Sequence, residues 1–161
     1  MIWTTIISLI IVLGYVVGTV WKLGYIPDSI SNTYYLTGKK GWFTLAMMTG
    51  ALTLIPGALE ITPENIQPIP FFAAAGMLLV GAAPRFKDYE KTAHYLGAIM
   101  LLGFSQLWIM MVKPELLLPW IIYGIGLIWR IKENKEIINW VFWAEIVIIL
   151  NVYATIISEV I

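Results

Sequence analysis

Residues 2–22 read IWTTIISLIIVLGYVVGTVWK. No charge interrupts positions 2–20, and Trp21 and Lys22 follow them at once. A secretory signal is one reading, but no basic residue precedes this stretch and no small-residue cleavage site follows it. The stretch is also longer than the usual apolar core of a signal. It therefore reads as an uncleaved transmembrane helix over 2–21. Outward from it, further apolar stretches predict helices over 42–59, 68–83, 95–112, 116–129 and 137–160. The fifth is short, rising only about 21 Å at 1.5 Å per residue, so it must borrow flanking residues or thin the bilayer.

Charge placement orients these helices. Of the ten Lys and Arg residues, Lys22, Lys39 and Lys40 follow the first stretch, Arg85, Lys87 and Lys91 the third, and Arg130, Lys132 and Lys135 the fifth. Only Lys113 lies in the alternate set of loops. Basic juxtamembrane loops stay cytoplasmic, so the expected fold is an all-α, polytopic transmembrane bundle of six helices with both termini outside. A composition of 60% hydrophobic and 12% charged residues, with a mean hydropathy of +0.82, agrees. The spans consume most of the chain, so 1–161 reads as one integral membrane domain. Net charge is zero and no basic run carries interleaved aromatics, which argues against nucleic acid as a partner. The absence of Cys removes disulfides, thiolate chemistry and Cys-ligated metals.

Trp3, Trp21, Trp42, Trp120, Trp129 and Trp140 fall near predicted helix ends, where indoles anchor in the headgroup region. Trp108 and Trp143 sit deeper, and packing is their commoner use. Small residues predict where helices approach closely. Gly14 and Gly18 form a GxxxG step, Gly124 and Gly126 suggest a second contact, and the run 73–76 with 81–83 places the third helix centrally. The segment 26–37 is too polar to span and too apolar for a plain tether. Pro27 suits a first helical turn and Gly38 an end, so an interfacial helix is expected, with Ile26, Ile30 and Tyr34 facing lipid. Asp28, Ser31, Asn32 and Tyr35 would then face water or the bundle mouth.

The segments Ser29-Ile-Ser-Asn-Thr-Tyr-Tyr35, Val80-Gly-Ala-Ala-Pro-Arg-Phe86 and His94-Tyr-Leu-Gly-Ala98 resemble an uncharacterised family of small six-helix membrane proteins of bacteria and their phages. That resemblance implies a multi-pass protein of the bacterial cytoplasmic membrane and carries no catalytic signature. A more distant likeness, an Asp and a His before a helix with Ser in an earlier loop, is to the ceramidase and adiponectin-receptor superfamily. Those proteins hold zinc with three His, whereas His94 is the only His here. Zinc needs three or four protein ligands, so neither a metal site nor a cofactor is expected.

Candidate functional residues form two sets. Ser29, Ser31, Asp88 and His94 all fall on the predicted cytoplasmic side, where a nucleophile, an orienting acid and a base could converge for a metal-free hydrolase. No nucleophile-elbow motif surrounds either Ser, and the plainer reading has His94 opening a helix near the interface and Asp88 and Glu90 tempering the basic loop. The second set lies within the spans. Glu145 should face protein or a water-filled cavity, because an acidic group at helix centre costs about 2.5–3.5 kcal/mol on insertion scales. Counted from 137 it lies about 13 Å deep. Thr49 falls at a similar depth, Tyr15 is shallower, and Ser105 and Gln106 are deeper, which predicts one ligand-binding polar pocket. Asn151, with Thr155 and Ser158, forms a polar stripe nearby. Interhelical hydrogen bonding explains the same residues without a ligand.

The expected function is that of a binding or structural membrane module with a polar cytoplasmic mouth. Its partners would be membrane lipids, a second copy or another membrane protein. The alternatives are a small transporter or proton-coupled protein using Glu145, and a lipid hydrolase using Ser31, His94 and Asp88. Paired broken helices and an inverted repeat, the marks of many transporters, are missing from the pattern.

Overall fold

The computed structural model describes residues 2–133 and 138–160, and among these the protein is helical with no strand. Its α-helices are α1 Ile2–Leu23, α2 Thr33–Thr37, α3 Lys40–Glu60, α4 Pro68–Ala82, α5 Glu90–Val112, α6 Leu118–Lys132 and α7 Trp140–Val160. All but the short α2, counted with adjoining 3₁₀ turns, are long and apolar enough to cross a membrane. α3 and α5 begin earlier than hydropathy predicts, because Lys40 and the run Glu90-Lys91-Thr92 form polar first turns. The short fifth stretch does borrow its flanks. A 3₁₀ turn, Pro114–Leu117, precedes α6, and the helix continues to Lys132, so the segment Pro114–Lys132 reaches 19 residues. The expected helix start at 137, and Lys135 of the third basic loop, lie outside the described residues. α7 is described from Trp140, directly after Asn139, whose φ is 56°.

Five helices form a closed ring. α1 packs on α3, α3 on α4 and α4 on α5, while α7 touches both α5 and α1 and completes the circuit. The α4–α5 contact is the closest. A Cβ on Gly76 would overlap the Leu101 backbone nitrogen and stand 2.7 Å from the Gly97 carbonyl oxygen, and one on Gly97 would stand 2.8 Å from Val80 N. Gly50 lies in the same way against Val12 of α1, and Gly57 against Thr5. The central position expected for α4 is what the ring gives it, with Ala73, Ala74, Gly76 and Gly81 buried. By contrast, a Cβ added at Gly14, Gly18, Gly124 or Gly126 meets nothing within 4 Å. Among the described residues the contacts expected at those glycines are not made, and for Gly124 and Gly126 the reason is that α6 packs outside the ring and has no buried residue. Trp108 is buried and donates to Thr62 Oγ1 at 2.8 Å, whereas Trp143 points outward, 46% exposed.

The ends of the bundle differ in charge. Lys22, Lys39, Lys40, Arg85, Lys87, Lys91, Arg130 and Lys132 gather at one end. Glu60, Glu64, Glu115 and Glu159 lie at the other, where Lys113 pairs with Glu159 at 2.6 Å.

Residues 24–37 fold over the basic end as a cover. The expected interfacial helix over 26–37 is helical only from Thr33 to Thr37, closed by Gly38 at φ 65° with its N–H on Tyr35 O. Ile30 and Tyr34, expected to face lipid, are buried, and so is Pro27. The reason is backbone pairing across the chain. Asn139 Nδ2 donates to Ile26 O at 2.9 Å, Phe142 N to Asp28 O at 2.9 Å, and Ile30 N to Glu145 Oε2 at 2.5 Å. Phe142 N–H belongs to the first turn of α7, which has no acceptor inside its own helix. An extended segment can supply that acceptor and a helix over 26–32 could not.

Replacing Gly76 with Ala should therefore lower stability by about 1–3 kcal/mol through overpacking. Gly124→Ala should leave it unchanged or raise it by up to about 1 kcal/mol. Thermal unfolding of the two variants in one detergent makes the comparison, and equal shifts would contradict the packing described.

Candidate functional site

Two spaces meet beneath the cover. At the basic end a cleft of about 460 Å³ opens between the cover, the first turns of α5 and the start of α7, lined by Asp28, Ser31, Tyr35, Lys91, His94 and Glu145. Inside the ring lies a cavity of about 100 Å³. Its walls come from all five ring helices, including Val12, Met47, Met77, Leu101 and Ile149. Glu145 and Ser31 line both spaces, so cleft and cavity adjoin at these two side chains.

Glu145 sits five residues into α7, about 7.5 Å along the helix. Its Oε2 is held by Ile30 N–H, and its side chain also faces the cavity. At the cavity wall further along α7, Tyr153 meets Ser8 Oγ at 2.6 Å, and Ser8 donates onward to Gly50 O at 2.7 Å. Ser8 has one proton, already given to Gly50, so Tyr153 is the donor to Ser8.

A second fastening holds the cover on its α5 side. Glu90 accepts from Tyr35 Oη at 2.7 Å, from Tyr34 Oη at 3.0 Å and from Lys40 Nζ at 3.0 Å. Lys40 also stands 5.7 Å and 5.4 Å above the two tyrosine rings. Burial, reinforced by the hydrogen bonds to Tyr35 and Glu90, pushes the Tyr34 hydroxyl above its usual range. It stays a donor across physiological pH. A third tie is Tyr15, whose hydroxyl meets Thr33 Oγ1 at 2.6 Å.

The hydrolase set is only partly assembled. Ser29, Ser31 and His94 share the cleft, but Asp88 is exposed in the 3₁₀ turn Lys87–Tyr89 and does not line it. Ser29 and Ser31 bond to each other at 3.1 Å, and Ser29 accepts from Asn32 N at 3.1 Å. These are local turn bonds, and among the described residues His94 Nδ1 is buried with no partner.

The expected single polar pocket does not form. Tyr15 and Thr49 line a groove between α1 and α3 on the outer face of the ring. Gln106 accepts from Trp120 Nε1 of α6 at 2.7 Å, and Ser105 bonds its own helix at Leu102 O. His94 and Ser105 do share a stripe of α5, but Ser105 lies about 16 Å further along it, beyond the cavity. Asn151 is buried away from the cavity lining, with no partner for Nδ2 among the described residues. Glu145 thus finds a backbone amide where Thr49, Ser105 or Gln106 was expected. Glu90, Lys40 and the Ser8–Tyr153 pair were not singled out from sequence, although two adjacent tyrosine hydroxyls that must meet an acceptor were a usable signal.

The chain matches no family model, no curated protein and no solved structure. Among the described residues no three His, Cys, Asp or Glu side chains come together as a metal site.

Removing the carboxylate tests the latch. Glu145→Ala should destabilise the protein by about 1–3 kcal/mol, since Ile30 N–H loses its acceptor, while Glu145→Gln keeps a carbonyl oxygen and should lose less than half as much. Equilibrium unfolding of both variants is the measurement, and equal losses would contradict the assigned bond.

Proposed function

We propose that this protein is a multi-pass component of a bacterial cytoplasmic membrane that binds an inner-leaflet lipid through its basic-end cleft. The observation behind this reading is the shared wall of Glu145 and Ser31, which sets a polar mouth directly against an apolar interior. Such a pairing suits a molecule with a polar head and an apolar body. The clustering of basic residues supports an orientation with the cover in the cytoplasm and both termini outside. The outward-facing apolar side chains of α6, among them Ile122 and Ile125, would meet lipid, a second copy or another membrane protein.

Native mass spectrometry of the protein released from mild detergent should detect a retained lipid, and Ala98→Phe, which fills the cleft, should reduce its occupancy at least tenfold. Undiminished retention in that variant would place lipid binding elsewhere. A reporter fused after residue 161 should report the outer side, and a cytoplasmic signal would reverse the orientation.

Proton-coupled transport is favoured by a separate observation, the hydrogen bond of Tyr153, which lines the same cavity as Glu145, to Ser8. If that reading holds, proteoliposomes should pass protons and Glu145→Gln should abolish the flux. Wild-type proteoliposomes no more permeable than empty ones would exclude it.

A further inference from the structure

Resting on the lipid-binding reading, the geometry points to the class of ligand: a single-chain amphiphile whose head is a hydrogen-bond donor, an amine, alcohol or amide, with its chain end in the interior cavity. Three observations carry this.

The first is where the two spaces meet. Glu145 and Ser31 line both spaces, and Glu145 is tied to the cover by a hydrogen bond. Glu145 Oε2 is occupied by Ile30 N–H, a donor that belongs to the cover. A ligand entering from the cleft toward the cavity meets that carboxyl group, whose Oε1 carries no hydrogen bond among the described residues, and a donor head can bind it there while Ile30 N–H keeps Oε2. An acceptor-only head, such as a carboxylate or phosphate, has no proton to offer that oxygen.

The second is the charge around the cleft. Asp28 of the cover and Glu145 of α7 face Lys91 and the imidazole of His94 on α5, so formal acids outnumber formal bases when His94 is neutral. Lys40, another cation at this end, pairs with Glu90 and stands over the two tyrosine rings. The lining of the cleft itself thus carries no excess of positive charge, although Lys and Arg residues gather around this end of the bundle.

The third is the size and lining of the cavity. At about 100 Å³ it is smaller than the roughly 150 Å³ apolar cavity that accommodates benzene. It has room for the tip of one chain and not for two, which excludes a diacyl lipid with both tails inside. Apart from Glu145, Ser31 and Tyr153, the side chains facing it are apolar, and Tyr153 spends its proton on Ser8.

The probe is dodecylamine carrying a terminal diazirine, photolysed with the protein in nanodiscs and mapped by tandem mass spectrometry. Adducts should fall on Met77, Leu101 and Ile149, and tenfold excess dodecanol should suppress them while the same excess of dodecanoate should not. Met77→Trp, which fills the cavity, should remove the adducts. Because the chain has no cysteine, a Ser29→Cys variant reports the cleft independently, and dodecylamine should slow its labelling by a small thiol reagent at least fivefold. Protection of Ser29→Cys with adducts only on outward residues such as Ile10 or Ile99 would overturn the chain placement and spare the lipid-binding reading. Equal competition by dodecanoate would overturn the donor assignment. No protection at Ser29→Cys by any of the three amphiphiles would overturn the lipid-binding reading itself.

Discussion

The hydrogen bond from Ile30 N–H to Glu145 joins residues 115 positions apart, and the closed form of the bundle depends on it. Residues 24–32 are irregular backbone tucked against helix ends, and irregular backbone next to a bilayer must find its partners within the protein or in a water-filled space. Here α7 provides them. Glu145 takes an amide of the cover, Asn139 reaches a carbonyl, and the unpaired Phe142 amide of the first turn of α7 is met by Asp28 O. Each side satisfies groups the other would otherwise bury unpaired, so cover and helix are mutually required.

Packing explains why such a tie is needed. α4 and α5 meet backbone to backbone at Gly76 and Gly97, and α1 meets α3 at Gly50 and Gly57. α7 has no glycine and touches its ring neighbours through larger side chains such as Ile148, Ile149 and Val152. That standoff leaves the interior cavity. A helix held this loosely along its length is fixed at its ends, by the cover at one and by the Trp108 cluster with Ile156 at the other. The cavity and the latch thus follow from one fact, the lack of glycine on α7.

The long helices were legible because the bilayer imposes length and hydropathy on each of them separately, without reference to tertiary structure. α6 shows the limit of that reading. Gly124 and Gly126 looked like a contact, yet composition alone does not say which glycines have a neighbour. The cover was misread for a physical reason. Its helical periodicity at Ile26, Ile30 and Tyr34 is real, but long-range bonds to α7 hold 26–32 in a non-helical path and turn two of those residues inward. Glu145 stood out as a carboxylate needing a partner, while the partner, a main-chain amide, has no signature in any side-chain pattern. Glu90 looked like one acid in a basic loop, and only the approach of α2 and α3 makes it the acceptor for Tyr34, Tyr35 and Lys40.

Amide hydrogen exchange at Ile30 tests the latch most directly, read by mass spectrometry of short peptides spanning 28–33 in nanodisc-embedded protein. With the bond to Glu145 in place, this amide should exchange at least a hundredfold more slowly than that of Tyr25, exposed at the edge of the cover. The protection should survive Glu145→Gln and disappear in Glu145→Ala. Exchange at Ile30 as fast as at an exposed loop amide in the unmodified protein, or protection that Glu145→Ala leaves intact, would contradict the account of how this bundle is closed.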